Sequence, residues 1–405
     1  MHVMSISMSI LGKITERFSS KSAAAEMRNG MTLDENAVLN ALRAVEDPDL
    51  HRDIVSLGFV RNVKIKSGEV SFEVNLTTPA CPVKEKLKAR CEEVVTALPG
   101  VTNVKVTMTA STRGSLPINT GSPVSASLGQ VKNIIAVASG KGGVGKSTTA
   151  VNLAWALAKS GSKVGLLDAD IYGPSIPLMT HLREGATASE NLVSPPVVDG
   201  VKIMSVGMFN QGGKATIMRG PMAAAVIKQF LTQVAWGELD YLVIDYPPGT
   251  GDIQLTISQT APVTGAVIVT TPQEVALIDV RKAISMFETL KVPVLGVVET
   301  MSYFVCDGCD KKHFIFREGG GSRVASEHGV AWLGGIPMDP GLVKASDEGT
   351  PFVAGHADSP AGKAFFDVAG AVAAQVSILH AENKNVLQHF SLEWKSDAPA
   401  GEWKN

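Results

Sequence analysis

Residues 139–148 read Ser-Gly-Lys-Gly-Gly-Val-Gly-Lys-Ser-Thr. Gly140, Gly145, Lys146 and Ser147 meet the spacing of a phosphate-binding loop: glycine, four residues, glycine, lysine, hydroxyl residue. Glycines there let successive amides turn inward toward a polyphosphate, and the following helix presents its positive end to the same charge. The candidate nucleotide cradle is therefore Gly140, Lys141, Gly142, Gly143, Val144, Gly145, Lys146, Ser147 and Thr148, with Lys146 on the β- and γ-phosphates and the Ser147 hydroxyl on magnesium. A mere glycine-rich turn would need no flanking elements, whereas both are expected here. Asn133 to Ala138 is an apolar run suited to a buried strand, and Ser147 to Lys159 sets Ala150, Leu153, Ala154 and Leu157 on one helical face.

Magnesium and an attacking water call for carboxylates at the ends of neighbouring strands. Asp168 and Asp170 follow the run Val164 to Leu167, and Asp245 ends the run Tyr241 to Ile244; the bland reading of such aspartates is helix capping. A third constellation is Cys306-Asp-Gly-Cys309, in a loop after a strand ending near Met301. Two cysteines at this spacing grip one metal, but a structural zinc or a four-iron cluster takes four ligands, and the chain has no second CxxC. A two-fold dimer with this loop on its axis supplies the missing pair. A redox disulfide or a zinc clip at the same interface are the other readings, and the redox one is weakened because the pair opens no helix. His313 is read as a surface residue.

The elements that must hold these residues fall into five regions. Residues 1–31 are serine-rich with an excess of Lys and Arg, consistent with an organelle-targeting segment or with a disordered extension upstream of Met31. Residues 32–110 give a small α+β domain: a helix from Asp34 to Val45, strands at Val60 to Ile65 and Val70 to Leu76, a helix from Val83 to Leu98 and a strand from Val101 to Met108. Alternation along Val70, Phe72, Val74 and Leu76 marks the second strand as half-buried and antiparallel. Residues 111–130 are a flexible linker. Residues 131–380 alternate strand and helix, which predicts an α/β domain with a mainly parallel sheet covered by helices on both faces. Residues 381–405 read as a mostly disordered tail.

Composition narrows the classes. The 405 residues are 45% hydrophobic and 19% charged, with a formal net charge of −2. That balance gives no electrostatic argument for nucleic acid or an anionic membrane, and no apolar run is long enough to span a bilayer. Only four cysteines occur, which excludes a disulfide scaffold and favours a reducing compartment, the cytoplasm in the first instance.

With its early lysine, the loop resembles the deviant phosphate loop of the MinD/Mrp class of P-loop NTPases. In that class the residue matching Lys141 crosses a dimer interface to the phosphates of the other subunit, so the resemblance implies a homodimer. Asp168 to Pro177 (DADIYGPSIP) and Asp245 to Asp252 (DYPPGTGD) resemble the switch segments of the Mrp/ApbC branch, with Tyr246 where a small or aliphatic residue is usual. The small domain resembles the iron-sulfur assembly domain of the same proteins through Asp47-Pro48-Asp49-Leu50, Leu57-Gly58 and Thr77-Thr78-Pro79-Ala80-Cys81-Pro82. There the cysteine matching Cys81 handles clusters; an inert buried thiol is the alternative, and Cys91 reads as packing.

The resemblance implies an ATP- and Mg2+-dependent carrier of a [4Fe-4S] cluster, held by Cys306 and Cys309 of two subunits and passed to recipient apoproteins together with other assembly factors. Zinc is the alternative metal. Catalysis would fall to Lys141, Lys146 and Asp170, the last orienting the hydrolytic water; Asp245 would hold the magnesium hydration shell and Asp168 the metal or its switch loop. The turn Gly249 to Asp252 would move when the γ-phosphate leaves. Glu299-Thr300-Met301-Ser302 departs from the family pattern, which has an adenine-contacting asparagine where Thr300 stands; threonine lacks an amide's paired donor and acceptor, so base selectivity is open. Two rivals remain. A MinD/ParA-type positioning ATPase would need a basic amphipathic helix or patch, and an electron-transfer reductase would use single cysteines on separate segments.

Overall fold

The computed structural model describes residues 33–81, 83–112, 114, 127–189, 192–209 and 220–388. They form two compact units, one from the described residues of Met1–Thr77 with Cys81–Ser111, the other from Thr78–Ala80 with those of Thr112–Asn405. The extension at 1–31 and most of the segment 111–130 lie outside the described residues.

In the first unit, helix α1 (Glu35–Leu42) begins where the Asp34 carboxylate accepts the Ala37 amide at 2.8 Å, satisfying one of the free donors at a helix start. Strands β1 (Val60–Lys66) and β2 (Glu69–Leu76) precede helix α2 (Lys84–Thr96) and strand β3 (Asn103–Ala110). The central strand β2 pairs antiparallel with β1, as its alternation suggests, and parallel with β3 on its other edge. The crossover through α2 makes the parallel pair, which alternation alone cannot foresee. Val70, Phe72, Val74 and Leu76 point into a core shared with Val38, Leu42, Leu87, Cys91 and Val95. Cys91 is fully buried packing, and burial pushes its thiol up to about 12.

The second unit is built on eight strands: β4 (Val131–Ser139), β5 (Val164–Asp168), β6 (Val197–Val198), β7 (Val201–Ser205), β8 (Leu239–Asp245), β9 (Gly265–Thr270), β10 (Val294–Glu299) and β11 (Trp332–Gly335). Their order across the sheet is β6-β7-β5-β8-β4-β9-β10-β11, and every pairing is parallel except β6 with β7. Both faces are covered. Ile135, Val137, Tyr241 and Val243 face helices α3 (Lys146–Lys159) and α9 (Pro360–Gln388), while Ile134, Ala136, Ala138, Leu242 and Ile244 face α4 (Gly220–Gln233), α5 (Asp252–Thr260), α6 (Glu274–Thr289) and α7 (Gly320–Glu327); α8 (Pro340–Asp347) adds Ala345 to the first of these layers. This is why the strands read as continuous apolar runs. Each Val, Leu or Ile among them taken out of water is worth roughly 1.5–3 kcal/mol.

One expectation changes. Helix α3 is buried all round from Thr149 to Leu157, because α9 packs over the side that would otherwise meet water. Helix α9 runs to Gln388; residues 389–405, the greater part of the tail expected to be mostly disordered, lie outside the described set. Residues 360–382 are long and apolar enough to cross a membrane, yet Phe365, Val368, Ala369, Val372, Ala373 and Val376 are core.

Candidate functional site

The carboxyl ends of β4, β5 and β8 lie side by side, with Asp245 in register with Asp168 on one neighbour and Val137 on the other. The loop after β4 turns into α3 at Gly145, which caps the helix in the left-handed region (φ 80°) with no side chain satisfying its first amides. Gly140 is required for another reason: a Cβ there would stand 2.3 Å from the Asp279 carbonyl carbon on α6. At Gly142 and Gly143 a Cβ would meet nothing within 4 Å. The cradle is thus backed by protein and open toward its ligand.

Lys146, Ser147, Asp168, Asp170 and Asp245 converge on this loop. The Lys146 ammonium, 6% exposed, donates to Asp245 Oδ1 at 2.7 Å, lies 3.5 Å from Asp170 Oδ2 and donates to Ser147 Oγ at 3.3 Å. Asp168 is fully buried, accepting the Ser205 hydroxyl at 2.9 Å and the Asp170 amide at 3.1 Å. It therefore positions Asp170 through the backbone. Burial and the adjacent Asp245 push the Asp168 carboxyl up to about 8, and burial raises Asp245 against the pull of Lys146. Asp245 Oδ2 is buried with no hydrogen-bond partner among the described residues. An orphaned carboxylate oxygen beside a serine hydroxyl, under unspent helix amides, fits a hydrated cation that accompanies phosphates. Lys141 is half-buried, and no ion pair joins it to a described residue.

Two contributors, Gln254 and Ser205, were not foreseen, and a third, Thr300, makes a contact that was not. Gln254 on α5 is 3% exposed; its amide nitrogen donates to the carbonyls of Pro247, Pro248 and Gly249 at 3.0–3.2 Å while its oxygen accepts the Gly251 amide at 2.9 Å. It organises the whole glycine turn after Asp245, which the Gly249 amide also ties to Ser139 O at 3.0 Å. Ser205 holds Asp168. Thr300, which stands where the family has an adenine-contacting asparagine, donates its hydroxyl to Val144 O at 2.6 Å within the phosphate loop. The only signals in the chain were a polar residue on an apolar helix and a serine at a strand end. Tyr246 fills a core position, its ring tilted on Phe287 at 5.8 Å and its hydroxyl 3.3 Å from Ser258 Oγ.

Cys306 and Cys309 lie in the turn of a short hairpin that pairs Phe304 with His313 and Val305 with Lys312. Cys309 and His313 are exposed and Cys306 half-exposed. Hydrogen bonds from the backbone of Gly308, then from the Cys309 side chain and backbone, hold the Cys306 thiol below its ordinary value. Among the described residues no group of three or more His, Cys, Asp and Glu is gathered as a metal site. Cys81, in the first unit, is half-buried, and burial with Asp49 and Asp47 nearby pushes its thiol up to about 11. That favours a protonated, quiet thiol.

Residues 130–373 match the family of NUBPL iron-transfer P-loop NTPases, and residues 35–106 match the iron-sulfur cluster assembly protein family. The chain is 47% identical over 352 residues to the iron-sulfur cluster carrier protein of Synechocystis, covering 85% of this chain and 99% of that one. It is 46% identical to the chloroplastic Fe-S cluster assembly factor HCF101 of Arabidopsis thaliana over 90% of this chain and 70% of the relative. A solved nucleotide-binding protein in complex with ADP from Archaeoglobus fulgidus superposes with a TM-score of 0.51 at 44% identity, over 56% of this chain and 90% of its own. With its cradle, its carboxylate cluster and these matches together, the chain belongs to the iron-transfer P-loop NTPase family of iron-sulfur cluster carriers, joined to an iron-sulfur cluster assembly domain.

Proposed function

We propose that the protein binds and hydrolyses ATP, holds a [4Fe-4S] cluster between two copies of itself, and hands that cluster to recipient apoproteins. The observation that carries this reading is the hairpin turn: two cysteines, one exposed and one with a lowered thiol, in the same unit as the phosphate loop and short of a complete ligand set among the described residues. A second copy across a two-fold axis completes four thiolates. The cluster is cargo, so an exposed, half-complete site suits it better than a closed one. Zinc in the same four thiolates is the competing occupant.

At the nucleotide end, Lys146 would exchange its bonds to Asp245 and Asp170 for the β- and γ-phosphates. Mg2+ would be held by Ser147 Oγ and, through its water shell, by Asp245, and would neutralise charge on the transferring phosphoryl group. Freed from Lys146, Asp170 would orient the attacking water, with Asp168 and Ser205 fixing its backbone. Lys141, with no ion pair to a described residue, is assigned to the phosphates of the second copy. The Gln254-held turn beside Asp245 would relax once the γ-phosphate is lost, making hydrolysis a timer for cluster release. The compartment proposed is a reducing one, the cytoplasm or an organelle such as that named for the Arabidopsis relative.

Anaerobic reconstitution with iron and sulfide, followed by metal analysis and transfer to an apo-enzyme, tests the reading. The wild type should take up one cluster per two chains and donate it, and Cys306→Ala and Cys309→Ala should each abolish uptake. Full binding and transfer by either variant would remove the cysteines from the site.

A further inference from the structure

We propose that Thr300 is a positioning residue that couples the phosphate loop to the cysteine hairpin, so that nucleotide in the loop changes the reactivity of Cys306 and Cys309. The inference rests on the reading that one cycle uses both sites. Its own warrant is an unbroken run of contacts. The single Thr300 hydroxyl proton faces two acceptors, Val144 O at 2.6 Å in the loop and Thr270 O at 3.0 Å at the end of β9. The Thr300 methyl backs Gly145, where an added Cβ would lie 3.4 Å from it.

From there to the cysteines the chain has little slack. Met301 sits in the left-handed region at φ 52°, a constrained reversal for a non-glycine residue. The Ser302 amide donates to Ile336 O at 3.1 Å, and its hydroxyl donates to Glu299 Oε1 at 2.6 Å. Glu299, 1% exposed, takes the Gly321 amide on its other oxygen at 2.6 Å. The Met338 amide donates to Tyr303 O at 2.7 Å, and the Cys306 amide donates to Lys311 O at 3.0 Å to close the turn.

Phosphates recruit the amides around Val144, and moving that peptide changes which carbonyl the Thr300 hydroxyl serves. A donor with two acceptors is a two-position element that the ligand biases, and the bonded run beyond it carries the bias to the hairpin. Linkage makes the coupling reciprocal in affinity: by whatever factor nucleotide changes metal affinity at the cysteines, metal there changes nucleotide affinity.

The test is peptide-resolved alkylation of Cys306 and Cys309 in the full chain, with and without a saturating non-hydrolysable ATP analogue. Wild type, Thr300→Val, which keeps the shape and removes the hydroxyl, and Thr300→Ser, which restores it, are compared. The analogue should change the wild-type rate by about fivefold, the lower end of ordinary coupling; the change should vanish in Thr300→Val and return in Thr300→Ser. An equal change in wild type and Thr300→Val, no change in wild type, or loss of analogue binding by Thr300→Val each overturns the inference. None of these touches the carrier reading, which stands or falls on cluster uptake by Cys306→Ala and Cys309→Ala.

Discussion

Replacing Lys146 with methionine removes the ammonium that bridges Asp245 at 2.7 Å and Asp170 at 3.5 Å and fills its space with an apolar chain. Asp245 is fully buried and already carries one unpartnered oxygen, so the variant strands a desolvated carboxylate. Breaking one half of a buried pair costs about 3–5 kcal/mol. At about 2–4 °C of Tm per kcal/mol for a unit of this size, nucleotide-free protein should melt roughly 6–20 °C lower. The sign with pH follows from the carboxyl. Its folded value is raised already and rises further without the lysine, so the protonated form is favoured on folding; that contribution is present at low pH and lost as pH climbs. The Tm gap to wild type should therefore widen from acid toward pH 8. Adding Asp245→Asn to Lys146→Met should recover most of the gap. Calorimetry of nucleotide-free wild type, single and double variants across pH reads this directly. A gap that is constant with pH, or a double variant no better than the single one, would refute the account of Lys146 as the counter-charge of a buried carboxylate.

Gln254→Leu should lower ATP turnover more than nucleotide affinity, and cost about 1–3 kcal/mol, because it leaves buried carbonyls of the turn 247–249 unmet; steady-state kinetics with nucleotide titration checks it. Alkylation followed by peptide mapping should label Cys306 well before Cys81, since a thiol at about 11 is roughly one part in a thousand thiolate at pH 8. Equal labelling would contradict the placement of Cys81. Lys141→Ala should leave nucleotide bound but remove ATP-dependent pairing and hydrolysis, read by light scattering and phosphate release; pairing at wild-type affinity would take Lys141 out of the interface.

The phosphate loop and both carboxylate segments were legible in the sequence because each is a contiguous motif on a strand end, where local spacing and tertiary position coincide. The strands at 164–168, 239–245, 265–270 and 294–299 were legible as unbroken apolar runs. Strand β7 at 201–205 and β11 at 332–335 were not, since the first is five residues interrupted by Lys202 and the second reads Trp-Leu-Gly-Gly. Gln254, and the contact that Thr300 makes to the loop, escaped for a different reason. Their partners are backbone carbonyls, which carry no side-chain identity, and for Thr300 one partner lies 156 residues away. The helix begun at Pro360 continues to Gln388, a stretch whose polar composition alone gave no helical signal.

The buried Asp245 carboxylate beside the phosphate loop has a meaning for the life of the molecule in a cell. A ligand that binds only the folded form adds to its stability, so a chain with nucleotide in this cradle would open less often and meet proteases later than one without. Its abundance would then follow the local supply of ATP, thinning the pool of carriers when energy runs short.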